Sequence, residues 1–405
     1  MHRTMWLAIA YMMAGPAAAP FAACDDDSRG HGDRPPYPCS EYIPTVTWNC
    51  ADRADEAEGG DLWPVAWAAD GHLYTAFGDG WGFRADDPHW KPGEPDRVTT
   101  KRSWGFTRLE GDFSGWSATD LACFSSGKSG RGKIASMFPI RGGIHMLVLE
   151  QRSVPDYSIW YVTDLTFPSR CINACPTILW SGSQPAHRTK ARQARADGRF
   201  YPSGAVNYGQ DYAGHHGYVY ITGGNWIWSE GNTGYLYMAR AGIESDLCSA
   251  ASWEYLGGPD TNQDNLFDGG TPEWTTSPAD RTAIYYDPNG IGNAGGAQIL
   301  RMPALNRYIL TVGHTPGHEK RTPGVGSMGI FESVNPWGPW KTVFYYDDWC
   351  GQGGGENLLY HIVPKWVSRP GSEVTVPLVY SGDPPDSFNL VEGTFTLRPS
   401  RLEPR

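Results

Sequence analysis

Asp61 and Asp79 lie in the stretch GDLWPVAWAADGHLYTAFGDGWGF, residues 60–83, each nine residues from Asp70. Two apolar runs flank Ala69-Asp70-Gly71, and Asp-Gly between such runs is a hairpin signal. A hairpin centred there sets Asp61 and Asp79 opposite one another or offset by one residue. Directly opposed residues have Cβ atoms about 4.5–5.5 Å apart. Two carboxylates at that range repel, and the pKa of one of them rises. A bound cation or acid/base chemistry would offset this cost. Hydrolysis of a glycosidic bond uses two carboxyl groups, one protonated and one ionised. Trp63, Trp67, Trp81 and Trp90 are close in sequence and offer flat faces to sugar rings. The plainer alternative is that both aspartates serve turns.

The elements that must carry this pair recur along the chain. An apolar run, a tight polar turn and a second apolar run appear five times, with turns near Asp70, Gly142, His216, Asn306 and Gly371. A further strand-like run follows each hairpin: KRSWGFTRLEGDF, YSIWYVTDL, GYLYMARAG, SMGIFESV and SFNLVEGTFTL. A repeat of three to four antiparallel strands at spacings of roughly 65–90 residues predicts an all-β, five-bladed β-propeller, with a pair of β-sandwiches as the competing arrangement. In a propeller the first strand of each blade lines a central channel, and the strand ends with their loops form the ligand face.

Other polar residues are expected at that face by the same logic. Lys133, Asn207, Gln298 and Glu356 stand near the starts of inner strands, while Glu150, Arg152, Asn225, Trp226, His314 and Asp383 stand near the ends of second strands. Asp211 lies in NYGQDYAG and serves either ligand or turn, and His215-His216 read as turn residues. Glu356 follows GQGGG, where backbone can approach a ligand closely. Carboxylates, amides, a cation and tryptophans suit an uncharged polyol. A serine-nucleophile elbow, a phosphate loop and a dinucleotide fingerprint are all missing from the sequence.

Composition narrows the partner. The 405 residues carry a net charge of −11 and no dense Lys/Arg cluster, which argues against nucleic acid. Aromatic residues make up 13% of the chain. Residues 1–23 read as a signal peptide, with an apolar run from Met5 to Ala14 followed by small residues. Cys24, preceded by Phe21-Ala22-Ala23, resembles a lipidation site, although simple cleavage near Ala19 or Ala23 fits the same residues. Residues 24–40 then read as a disordered polar tether and 41–400 as one propeller domain. The membrane would be met only through the lipid, and a monomer is expected. Eight cysteines in an exported chain read as disulfides. Cys39/Cys50 and Cys171/Cys175 are near enough in sequence to pair, and lipidation of Cys24 would leave one cysteine free.

The opening stretch, followed in order by SWGFTRLEG, NYGQDYAGHHGYVY, YLYMARA, ALNRYILTVGH, NPWGPWKTV, HIVPKW and SGDPPDSFNL, resembles the family called domain of unknown function 4185. The resemblance spans roughly Asp61 to Leu397. It implies a five-bladed propeller glycoside hydrolase with carboxylate catalysis at the propeller mouth, and it admits a structural Ca²⁺. Some members of that family are endo-acting D-arabinanases that cut α-linked D-arabinofuranan of the arabinogalactan and lipoarabinomannan type. On matching positions it implies that Asp61 and Asp79 are the acid/base pair. From their places near strand ends, Glu356 or Glu150 is the reserve acid if the pair serves one role together. A glycan-binding protein without catalysis, or a hydrolase for another glycan, would use the same face.

Overall fold

The computed structural model describes residues 21–22, 34–52, 54–57, 60–83, 102–125, 132–152, 154–167, 171–175, 180–181, 200–224, 234–261, 263–291, 297–314, 327–346, 349–351, 358–382 and 387–398. Among them the protein is all-β, strands joined by turns and single 3-10 turns. After a short strand β1 (Thr45–Trp48), the strands β2 (Asp61–Trp67), β3 (Leu73–Gly80), β4 (Arg102–Glu110) and β5 (Ser117–Phe124) pair antiparallel in chain order. A second sheet follows with β6 (Lys133–Ile140), β7 (Gly143–Arg152) and β8 (Val154–Val162). Next come β9 (Tyr201–Asn207), β10 (Tyr218–Gly224), β11 (Tyr235–Gly242) and β12 (Trp253–Gly257). They are followed by β13 (Ala297–Met302), β14 (Arg307–Val312), β15 (Met328–Ser333) and β16 (Lys341–Tyr346). The last group is β17 (Leu358–Ile362), β18 (Glu373–Gly382) and β19 (Ser387–Thr396).

The hairpin turns fall where the sequence puts them. Asp70 accepts the His72 amide at 3.0 Å through Oδ1, and Gly71 supplies a φ of 83° that a side chain would resist. The first strands β2, β6 and β9 are buried almost throughout, which is why they read as continuous apolar runs rather than alternating ones. Each first strand packs on the next: β2 on β6, β6 on β9, β9 on β13, β13 on β17, and β17 back on β2. The contact between β9 and β13 includes parallel pairing, Val206 with Ile299 and Asn207 with Leu300.

The turn ends of these strands are stapled to one another. The Lys365 ammonium donates to the Gly71 carbonyl at 2.7 Å. The Gln210 amide donates to the Ala69 carbonyl at 3.4 Å. The Gly142 amide donates to Asp211 Oδ1 at 3.0 Å.

The N-terminal side of the chain completes the last sheet. β1 pairs antiparallel with β19, from Thr45 opposite Thr396 to Trp48 opposite Gly393. A Cβ at 393 would meet the Trp48 ring at 2.5 Å, so glycine there lets the indole lie on the strand. Part of the expected tether is structured. The Ser40 amide donates to the Thr342 carbonyl at 2.7 Å, the Thr342 amide donates to the Pro38 carbonyl at 2.8 Å, and the Tyr37 ring packs on Tyr285 and Phe331. Burial of these aromatic and backbone groups fixes a segment whose polar composition suggested disorder.

The disulfides also differ from the short-range pairs. Cys50 bonds Cys350, Cys123 bonds Cys171, and Cys175 bonds Cys248. Cys171 and Cys175 flank a short strand at Asn173–Ala174. One reaches back to the sheet before it and the other forward to the sheet after it. Cys39 is disulfide-bonded as well, so no described cysteine is free. The disulfides point to an exported protein. Among the described residues no helix is long and apolar enough to cross a membrane.

Candidate active site

Asp61 begins β2 and Lys133 begins β6, so the packing of one first strand on the next brings them together. The Lys133 ammonium lies 2.8 Å from Asp61 Oδ2 and 2.9 Å from Asp79 Oδ2. Both carboxylates therefore hang on one nitrogen, and these two oxygens lie within about 6 Å of each other. Asp61 and Lys133 are buried, whereas the Asp79 side chain keeps 34% of its surface exposed. Asp79 is the member of the cluster that a ligand can reach.

The pairing is offset by one, within the range the sequence allowed: Asp61 faces Gly78, and the register shifts between Leu62 and Val65. Leu62, Trp63 and Asp79 have φ of 80°, 50° and 44°. Such values are uncommon for residues with a Cβ and cost of order 1–3 kcal/mol each unless the surroundings fix them. Trp63 is so fixed, donating its indole N–H to the Gly60 carbonyl at 2.8 Å and packing among Phe77, Phe83 and Phe388. Gly78 is required by the carboxylate itself. A Cβ there would stand 2.2 Å from Asp61 Oδ1.

The electrostatics revise the argument from like charges. Two aspartates at this distance need a compensating cation, and the protein supplies it as a side chain. Burial alone would lower the Lys133 pKa. Asp61, then Asp79, outweigh burial and hold the ammonium above its ordinary value. The ammonium ties the two carboxylates to one side chain. Among the described residues no three His, Cys, Asp or Glu side chains converge to hold a metal ion.

Several expected site residues lie elsewhere. Trp63 is a core residue with no exposed face, because the backbone turns it inward over Gly60. Asn207 ends β9 rather than starting it. It lies with Asp211 at the stapled turn end, opposite Asp61 and Lys133. Asn207 Oδ1 accepts the Gly209 amide at 2.8 Å, and Asp211 caps the Gly142 turn. Gln298 does stand near the start of β13, but its amide is committed to backbone. The Ile362 amide donates to Gln298 Oε1 at 2.8 Å, and Gln298 Nε2 donates to the Ile362 carbonyl at 3.5 Å, bridging β13 to β17. His314 is 2% exposed and stacks on Tyr345 at 3.9 Å. Trp81 is half-buried and stands two residues beyond Asp79 in the chain. Glu356, Trp226 and Cys24 lie outside the described residues, as does the side chain of Glu150.

Two carboxylates escaped the sequence reading. Asp120 accepts the Thr107 hydroxyl at 2.6 Å and the Phe83 amide at 3.3 Å. It thereby fixes the turn after Asp79, where a Cβ on Gly82 would collide with it. Asp287 is buried, accepts from the Tyr345 and Tyr285 hydroxyls at 3.0 and 3.2 Å, and has its pKa raised by burial despite the nearby His314. Neither stands in a run that distinguishes it from loop polarity.

No family profile matches the chain, and no curated protein sequence matches it. Solved structures do resemble it. A presumptive hydrolase from Bacteroides ovatus ATCC 8483 aligns with a TM-score of 0.50 at 12% identity, over 87% of this chain and 90% of that one. The GH43_1 enzyme from Xanthomonas citri complexed with xylotriose aligns with a TM-score of 0.42 at 12% identity, over 85% and 89%. The first likeness is one of fold. The second is too distant to carry over fold or chemistry.

Proposed function

We propose that this protein is an exported glycoside hydrolase built as a five-bladed β-propeller and endo-acting on α-linked D-arabinofuranan. The observation that carries the hydrolase reading is the carboxylate cluster at the starts of β2 and β6. One member, Asp79, is partly exposed, and the half-buried Trp81 follows it by two residues in the chain. The cyclic packing of five first strands supports the propeller, and β1 pairing with β19 supplies the closure such a ring needs. The D-arabinofuranan substrate rests on the sequence resemblance to the domain of unknown function 4185. In this reading the Asp61–Asp79 pair supplies the base or nucleophile, Glu356 supplies the acid, and the sugar polymer lies across Trp81.

Export follows the N-terminal signal pattern, either with a lipid on Cys24 or after simple cleavage near Ala19 or Ala23.

The test is product release. Wild type, Asp61→Asn and Asp79→Asn would be incubated with D-arabinan, L-arabinan and a panel of other polysaccharides, and oligosaccharides followed by chromatography. A ladder of oligomers from D-arabinan, lost in both folded variants, is expected. The ion pairs from Lys133 favour a second reading, in which the aspartates only build the face of a glycan-binding protein. Binding without product from any polymer would establish that reading and overturn the first.

A further inference from the structure

We propose that Lys133 is a positioning residue that divides the aspartate pair into two roles, Asp61 as its buried anchor and Asp79 as the carboxylate that reacts. The inference rests on the hydrolase reading for its catalytic meaning, and on geometry alone for the division. Lys133 has three donor hydrogens, and two of its partners are Asp61 Oδ2 and Asp79 Oδ2. Asp61 is 8% exposed at its side chain against 34% for Asp79. Gly78 opens the space that the Asp61 carboxylate fills. Asp61 is thus enclosed on the strand side and tied to Lys133. Asp79, turned off its strand by its positive φ, has the ammonium on one side and solvent on the other.

The chemistry follows from charge. With Lys133 protonated the cluster carries one positive and two negative charges, and each carboxylate is more stable ionised than it would be beside the other alone. In this division the proton for the departing sugar oxygen comes from a third group, and Asp79 keeps its lone pairs for the sugar carbon or for water. Other described groups lie on the strands packed against β6. β4 offers Arg102, whose guanidinium donates to the Ser125 carbonyl at 2.9 Å. β9 offers the buried Tyr201. β7 presents Leu149 opposite Lys133. Asp211 lies at the far, turn end.

Three variants test this: Lys133→Met, Lys133→Arg and the double variant Lys133→Met/Asp61→Asn. Removing the cation leaves two adjacent carboxylates, so Asp79 holds its proton to higher pH. In Lys133→Met the low-pH limb of kcat/KM should move up by about one to two pH units. The double variant removes the repelling neighbour as well and is read by melting, since Asp61→Asn is expected to abolish product release. Lys133→Arg should keep the limb in place even where kcat falls. An unmoved limb in Lys133→Met with a raised KM would assign the lysine to substrate and overturn the proposal.

Thermal melting against pH reads the same division without any substrate. Lys133→Met should lose melting temperature as pH rises through the carboxylate range and regain it on acidification, and the double variant should not. Equal profiles for the two would overturn the proposal. A wild type that cleaves no glycan would defeat the hydrolase reading, and the melting profiles would still decide the role of Lys133.

Discussion

Gly78→Ala is the smallest change that should disturb the carboxylate cluster. The added methyl would stand 2.2 Å from Asp61 Oδ1. Ordinary contact requires the carboxylate to retreat by about 1 Å, a misplacement that can cost about 10²-fold in rate. β3 is paired on both sides at this point, with Asp61 of β2 and Trp104 of β4, so the backbone has little room to yield instead. The retreat stretches the 2.8 Å contact with Lys133. A charge-assisted hydrogen bond of this kind contributes about 1.5–3 kcal/mol. Product release from the cleaved glycan should therefore fall by about 10²-fold, with a melting temperature lower by several degrees and an unchanged far-ultraviolet circular dichroism spectrum. The assay is initial rate of oligosaccharide release at saturating and limiting polymer. A rate within threefold of wild type, in a protein whose melting temperature has dropped, would show that the position of Asp61 does not matter to the reaction.

Trp81→Ala should raise KM for the polymer by about tenfold while kcat changes little, since an aromatic platform contributes of order 1.4 kcal/mol to binding; an unchanged KM would remove Trp81 from the substrate path. Two histidines, His145 half-buried and His361 buried, contribute to the acid stability. Burial lowers the pKa of His145 from 6.5 to about 4, with Arg141 adding to the effect, and that of His361 from 6.5 to about 3. The unfolded chain binds protons below about pH 6.5 that the folded one refuses, so stability is complete above that pH and falls as the pH drops towards 4, by about 1.4 kcal/mol per pH unit for each histidine. His145→Phe, which keeps the stacking with Phe138 and Tyr161, should flatten the melting profile between pH 6.5 and 4, and an equally steep profile would refute this. Intact mass of the mature protein should show a diacylglyceryl group on an N-terminal Cys24; a chain without lipid would refute the lipoprotein reading.

The hairpins were legible because each is a local signal: two apolar runs and a turn with Asp70, Gly142, Asn306 or Gly371 at its centre. Their mutual packing is not local, and the errors follow from that. Asn207 was expected at a strand start because the apolar run seemed to begin near Gly204. The strand begins at Tyr201, where Tyr-Pro-Ser reads as loop although all seven residues of β9 are buried. Trp63 was expected to face sugar because its number lies near Asp61. Its positive φ and the empty space over Gly60 turn it into the core instead, and neither is visible in residue type. Lys133 was named, but as a ligand contact. Its tie to Asp61 spans 72 positions and exists only because β6 packs on β2. The pairing of Cys171 with Cys123 and of Cys175 with Cys248 was hidden for the same reason, since neighbours in sequence reach into different sheets.

The two ends of the strand ring divide the labour of the site. At the turn end Lys365, Gln210 and Asp211 bind the turns of neighbouring hairpins through backbone groups, which fixes how each first strand sits against the next. Asp61 and Lys133 are the first residues of two such strands, and Asp79 is the penultimate residue of a third. Groups on paired strands are held more closely than groups on loops. The separation of the three charges is therefore inherited from the fold. Chain-length and glycan preference have no comparable anchor among these strands. Substitutions in the cluster should then act on kcat rather than on the length of the products.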